Sequence, residues 1–206
     1  LQLPESGGRL QEVAGGAFSH AAFPVSAEDS GGSTSQDGFI AKLDKDTFEA
    51  DAATYVGGRG SDSISTLAIS DSRVYVAGST SAKNFPTHES AYSRELNVSS
   101  YSSYSDGFVA QLNKGLTQSG YVATYIGGEG REDIFGMTVD SAGNVYITGE
   151  TYGASTYPVT DGTSTGRVFV SKLNRDLSDN MISTILHGKN SESGTQGRFV
   201  KALEDS

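Results

Sequence analysis

Ala53-Thr54-Tyr55-Val56-Gly57-Gly58-Arg59-Gly60 returns as Ala123-Thr124-Tyr125-Ile126-Gly127-Gly128-Glu129-Gly130, and a worn third copy reads Ser183-Thr184-Ile185-Leu186-His187-Gly188. Two further phrases accompany it. Asp37-Gly38-Phe39-Ile40-Ala41-Lys42-Leu43 recurs as Asp106-Gly107-Phe108-Val109-Ala110-Gln111-Leu112, then as Phe169-Val170-Ser171-Lys172-Leu173 and Phe199-Val200-Lys201-Ala202-Leu203. Val74-Tyr75-Val76-Ala77-Gly78 is matched by Val145-Tyr146-Ile147-Thr148-Gly149 and loosely by Glu12-Val13-Ala14-Gly15. An aromatic residue and Pro follow each of these: Phe23-Pro24, Phe85-Pro86 and Tyr157-Pro158. Three phrases in one fixed order define a repeat protein.

The phrases read as strands. Phe39, Ala41 and Leu43 alternate with Ile40 and Lys42, and runs rich in Val, Ile, Tyr and Phe end at Gly or Asp clusters. Asp140-Ser141-Ala142-Gly143-Asn144, between Met137-Thr138-Val139 and Val145-Tyr146-Ile147, has the composition of a hairpin loop, because Gly and Asn accept positive φ. One unit therefore holds four short strands: Ala-Thr-Tyr, the strand at Leu67 or Met137, Val-Tyr, and Phe-Ile-Ala. Repeated four-stranded antiparallel sheets are the blades of a β-propeller. The connection between Phe85-Pro86 and Asp106 is long and includes Ser99-Ser100-Tyr101-Ser102-Ser103-Tyr104-Ser105. Only 89–96 within it has the makings of a short helix.

Composition narrows the function. The 206 residues carry a net charge of −10 and include 26 Gly, no Cys and no Trp. Disulfides, thiolate metal sites and a Cys nucleophile are excluded. No apolar run approaches the ~18 residues of a membrane span. The acidic balance argues against non-specific nucleic-acid binding, which needs Lys and Arg against phosphates.

The order Tyr-Val/Ile-Gly-Gly-x-Gly, Asp-x-x-Gly-Asn-Val-Tyr, Phe-Pro and Asp-Gly-Phe-Val-Ala-x-Leu resembles the SBBP-type β-propeller repeats over nearly all of 13–206. The resemblance implies a secreted or surface-exposed, extracytoplasmic propeller with adhesion, scaffold or binding roles, and it brings no catalytic residues. The expected fold is all-β: a single propeller segment over 1–206. It comprises a partial blade at 12–43, repeats at 51–112 and 121–173, and a partial repeat at 181–203. About three blades' worth cannot close a ring of 4–8, so an incomplete ring, a fragment, or a ring completed by another chain is expected. The start, with no initiator Met or signal-like apolar run, reads as processed or truncated.

Candidate sites are few. Gly58-x-Gly60 and Gly128-x-Gly130 resemble phosphate cradles but lead into strands, where a dinucleotide site requires a helix, so a blade turn is the expectation. Asp62, Glu132, Asp133 and Asp140 are weak calcium candidates, as Asp71 and the pair Asp44 and Asp46 are; none has the spacing of a calcium loop, and turn capping is the plainer reading. His20, His88 and His187 form no zinc motif, and no Gly-x-Ser-x-Gly elbow is present. Asn97-Val98-Ser99 is a glycosylation sequon in the longest insert, meaningful only in a eukaryotic secretory setting. The Ser/Tyr-rich stretch beside it has a composition suited to polar-aromatic contacts, against the plainer reading of a solvated loop.

The expectation is a non-catalytic structural or protein-binding module, with no cofactor and with a protein or further blades of the same polypeptide as partner. A calcium- or carbohydrate-dependent adhesin is the alternative, and a propeller lyase or hydrolase ranks last. Tyr55, Tyr125, Phe39, Phe108, Phe169, Leu43, Leu112, Leu173, Val76, Ile147, Leu67 and Met137 are expected in the core between sheets, with the end units least stable.

Overall fold

The computed structural model describes residues 36–70, 73–97, 105–153, 155–162, 165–186 and 200–201. Outside these residues lie the phrases at Glu12 and Phe23-Pro24, His20, Asp71, most of the Ser/Tyr-rich run, His187 and the greater part of the phrase at Phe199. The described residues form ten strands and no helix: β1 (Gly38–Leu43), β2 (Ala50–Val56), β3 (Asp62–Ser70), β4 (Arg73–Thr80), β5 (Asp106–Asn113), β6 (Val122–Ile126), β7 (Glu132–Val139), β8 (Val145–Thr151), β9 (Val168–Leu173) and β10 (Asn180–Leu186). They make three antiparallel sheets, β1-β2, β3-β4-β5-β6 and β7-β8-β9-β10, which do not close a ring among the described residues.

Sheet and sequence repeat are offset by one strand. The Ala123-Thr124-Tyr125 strand β6 pairs with β5, the Phe-Val-Ala strand before it, with Phe108 opposite Tyr125 and Ala110 opposite Ala123. It does not pair with β7, to which the Gly-Gly-x-Gly segment leads. Likewise β2 pairs with β1 and β10 with β9. Each unit's first strand therefore completes the previous sheet.

The sheets stack face to face, and β4 and β5 show why both faces of the middle sheet need apolar residues. Val74, Val76, Phe108, Ala110 and Leu112 join Ile40 and Val56 in one buried cluster. The alternate residues Tyr75, Ala77 and Val109 join Ile134, Met137, Ile147 and Phe169 in the next. Burial on both sides gives β5 seven consecutive buried residues. The aromatic–Pro pairs complete each cluster: Phe85 packs on Phe108 and Tyr157 on Phe169, with centroids 4.6 Å apart in both.

Most of the expected core is buried, but three members are not. Phe39 is 36 % exposed, Leu43 42 % and Leu67 55 %, and Tyr55 is only half-buried. Phe39 faces Tyr55 across β1-β2, at 5.7 Å between rings, on the side away from the β3–β6 sheet. The equivalent side of the middle sheet, bearing Phe108, is covered by β1 and β2. Leu67 corresponds to Met137, which packs on the middle sheet; the sheet facing Leu67 has only two strands among the described residues.

The helix expected at 89–96 is absent. His88 N–H donates to Ala123 O at 3.2 Å, Tyr125 N–H to Ser93 O at 3.1 Å and Ser93 N–H to Thr124 Oγ1 at 2.9 Å, so this segment runs along the open edge of β6. A backbone committed to a strand edge cannot also make helical bonds. Thr160 and Asp161 cover β10 similarly, donating to Ser183 O.

Bulges shift the register between Ile64 and Thr66 in β3 and between Ile134 and Gly136 in β7. The freed Ser65 hydroxyl donates to Ile134 O, tying β3 to β7 across the stack. The hairpin at 140–144 forms as expected, with Gly143 at φ 88°.

Candidate functional site

The chemistry-bearing side chains gather where one sheet hands over to the next, at the two Gly-Gly-x-Gly links. Each link follows the last strand of one sheet, β2 or β6, and opens the next sheet at β3 or β7. A Cβ on Gly58 would meet Ala82 Cβ at 2.8 Å and one on Gly60 would meet Ala82 N at 2.5 Å; Gly128 faces Thr156 in the same way. The link lies flat on the loop that leaves β4 or β8, and strands on both sides of it make it the expected blade turn.

The first glycine of each link makes room for carboxyl groups. A Cβ on Gly127 would stand 2.5 Å from Glu132 Oε2 and 2.8 Å from Asp106 Oδ1; one on Gly57 would stand 2.5 Å from Asp37 Oδ1 and 2.8 Å from Asp62 Oδ2. Two acidic residues thus meet at each link, one opening the Phe strand and one opening the strand after the link. The pairs are built alike. Gly58 N–H donates to Asp62 Oδ2 at 2.8 Å, and Gly128 N–H donates to Glu132 Oε2 at 3.0 Å. Asp62 N–H donates to Gln36 O and Glu132 N–H to Ser105 O. At the second link the Thr151 hydroxyl also donates to Glu132 Oε1 at 2.6 Å, whereas at the first Asp62 Oδ1 is enclosed with no hydrogen-bond donor.

Asp62, Asp106 and Glu132 are all buried, Asp106 and Glu132 completely. Burial penalises the ionised form and pushes all three carboxyls above the usual range, Asp106 to about 7. Tyr125 stands over the first link, donating to Ala82 O at 2.6 Å and accepting from Phe85 N–H at 2.9 Å.

The sequence candidates fall in different places. Asp62 and Glu132 are at the links. Asp133, beside Glu132, is paired with Arg131 at 2.9 Å. Asp140 is remote from them and organises the hairpin: it accepts from Asn144 N–H at 2.7 Å, Asn144 Nδ2 at 2.8 Å and the Tyr146 hydroxyl at 3.2 Å. Against its partial burial, these bonds and Lys172 hold the Asp140 carboxyl below the usual range. Replacing Asp140 with Ala should therefore lower the urea stability by about 1 kcal/mol, the worth of a lost loop-capping side chain. Asp44 caps its turn, accepting from Asp46 and Thr47 N–H, while Lys45 pairs with Asp46. His88 bonds locally to Ser90. Asn97 is exposed, and its N–H donates to Asp106 Oδ2 at 2.7 Å. Among the described residues no three His, Asp or Glu side chains gather as a metal centre.

Asp37 and Asp106 were the residues that strand patterning missed, because each looks like the polar start of a strand. A signal was present in the repeat. In the third copy Arg167 stands where Asp106 does, and His187 stands in the place of Gly127. A second repeated device also went unread. Asp44, Asn113 and Asn174 each stand at the end of the Phe strand and cap a turn, which holds Phe48, Leu116 or Leu177 at φ of 57°, 52° and 55°. Leu116 and Leu177 are buried there.

Four-stranded antiparallel sheets, stacked face to face and threaded so that one unit's first strand closes the sheet before it, are the blades of a β-propeller. Residues 123–155, which run from β6 through the second link and β8, match the family model of the SBBP β-propeller repeat. No curated protein matches the chain.

Proposed function

We propose that this chain is a non-catalytic structural or protein-binding propeller module that works in an extracytoplasmic or surface assembly, completed by a protein partner or by further blades of the same polypeptide. One observation carries the reading. Phe108, Leu112, Met137 and Ile126 are buried within the stack, while their counterparts Phe39, Leu43 and Leu67 towards one end and Leu186 at the other are exposed, as are Ile69, Met181 and Ile182 beside them. Such faces are what a neighbouring sheet covers in a stacked array. The unusual groups at the links support a framework role, since the carboxyls bond to the link backbone and the glycines make room for them. The resemblance of the repeats to secreted and surface propellers supports the extracytoplasmic setting.

Light scattering on the 206-residue chain tests this. Self-association with dye-accessible apolar surface is expected, and Ile182→Asp with Leu67→Asp should abolish the association while the sheet signature in circular dichroism persists. A monodisperse wild-type monomer that binds no apolar dye would overturn the reading.

A further inference from the structure

Three of the four carboxyl oxygens of Asp106 and Glu132 have donors: Asn97 N–H on Asp106 Oδ2, Gly128 N–H on Glu132 Oε2 and the Thr151 hydroxyl on Glu132 Oε1. The fourth, Asp106 Oδ1, is enclosed and has none. It lies on the same side as Glu132 Oε2, both oxygens being within 2.8 Å of the point a Cβ on Gly127 would occupy. The junction lacks one hydrogen. A divalent cation would want six or more oxygens, and only one here is uncommitted. We propose that each link holds one proton between its paired carboxyls, Asp106 with Glu132 and Asp37 with Asp62, making the contact between successive sheets a pH-sensitive lock.

In this lock Asp106 Oδ1 carries the proton and donates it to Glu132 Oε2, so the pair bears one negative charge spread over the bonds from Gly128 and Thr151. Deprotonation leaves two carboxylates facing each other out of water, which separates the sheets at the link and loosens the Asn97 loop that Asp106 holds. The groups facing the pair do not relieve this. Arg131 is taken by Asp133, whose charge raises Glu132 further. The Tyr125 and Tyr157 phenols are pushed up by burial and remain neutral; Tyr121, beside Asp62, is pushed up likewise. Where the third copy has Arg167 in place of Asp106, that side chain pairs with Glu150 at 3.3 Å, so the device belongs to the first two links.

The sign follows from which state holds the proton more tightly. Burial lifts the folded Asp106 to about 7; the Asn97 bond opposes the lift and the charge of Glu132 adds to it. The unfolded carboxyl titrates near 3.8, the ordinary value for Asp. The folded chain therefore binds the proton more tightly. The stabilisation is complete below about pH 4 and is lost as pH rises through 7, by up to roughly a thousandfold in the folding constant for one link.

Urea unfolding of the 206-residue chain at pH 5 and pH 8, with chelator present, measures it. The wild type should be more stable at pH 5. Asp106→Asn, whose amide can donate to Glu132 in place of the proton, should flatten the profile and exceed the wild type at pH 8. Asp62→Asn should do the same at the first link, and infrared absorption of a protonated carboxyl at pH 6 gives a readout independent of folding yield. Equal stability at both pH values, or loss of stability in Asp106→Asn at pH 8, would overturn the lock. So would a calcium-induced rise in melting temperature at pH 8 that Asp106→Asn abolishes, since a cation would then occupy the junction.

Discussion

Gly149→Ala should be among the most damaging single substitutions in the protein, costing at least about 3 kcal/mol in urea unfolding. The bulge in β7 turns the Asp133 carbonyl toward β8 at the height of Gly149, and an added Cβ would be driven into that oxygen and to 2.8 Å from the Phe169 ring. Backbone on one side and a packed ring on the other leave nothing to move aside. Gly78 faces Ser63 O across the equivalent bulge in β3, so Gly78→Ala should behave alike. Gly115→Ala is the control: it meets only the Asn113 and Thr117 side chains, at 3.1 Å and 3.7 Å, and should change stability by less than about 1 kcal/mol. A Gly149→Ala protein within 1 kcal/mol of wild type would refute the bulge geometry.

The second large effect separates position in the stack from position in the sequence. Phe39, Phe108 and Phe169 occupy one place in the repeated phrase, yet Phe108 and Phe169 are wholly buried while Phe39 is 36 % exposed. Truncation to Ala at 108 or 169 removes a ring packed against Phe85 or Tyr157 and leaves a cavity, a cost of about 3–5 kcal/mol. At 39 the same change should cost under about 1 kcal/mol. Calorimetric or urea titration of the three variants decides it; three equal losses would mean that Phe39 is covered as the others are.

The blades were legible because the repeat supplied what a single strand cannot. An alternating run such as Phe108 to Leu112 shows two faces but not what covers them; three copies in fixed order imply neighbours on both sides. Sheet membership was harder to see. The Ala-Thr-Tyr strand begins the sequence unit and ends a sheet, and hydrogen-bond register across a long connection leaves no local trace in the residues. The same gap hid a compensation within the core. Where one buried cluster has Phe85, Ala110 and Ala123, the next unit has Tyr157, Ser171 and Ser183, joined by hydroxyl bonds of 2.8 Å and 2.7 Å. Those three changes look unrelated until β9 and β10 are laid side by side, with Ser171 opposite Ser183.

Alternation places Phe39, Leu43 and Leu67 in the core because it reports only which face is apolar. Coverage depends on a neighbouring sheet, and at that end of the stack only two strands are described. The acidic pairs were half legible. Asp62 and Glu132 stood out after the glycines, but their partners Asp37 and Asp106 sit at the start of a strand in the neighbouring sheet, 25 or 26 positions away in sequence.

The one-strand offset between repeat and sheet has a genetic consequence. Duplicating or deleting one whole repeat passes a strand from each copy to its predecessor, so every interior junction stays matched and no hydrogen-bonding ladder is left half-built. Array length can therefore drift by recombination between copies while the architecture of each wedge is preserved. A proteolytic nick within 114–121 would sever β6 from the chain segment of the sheet it completes, whereas a nick at Gly127-Gly128 would leave both sheets with all four strands.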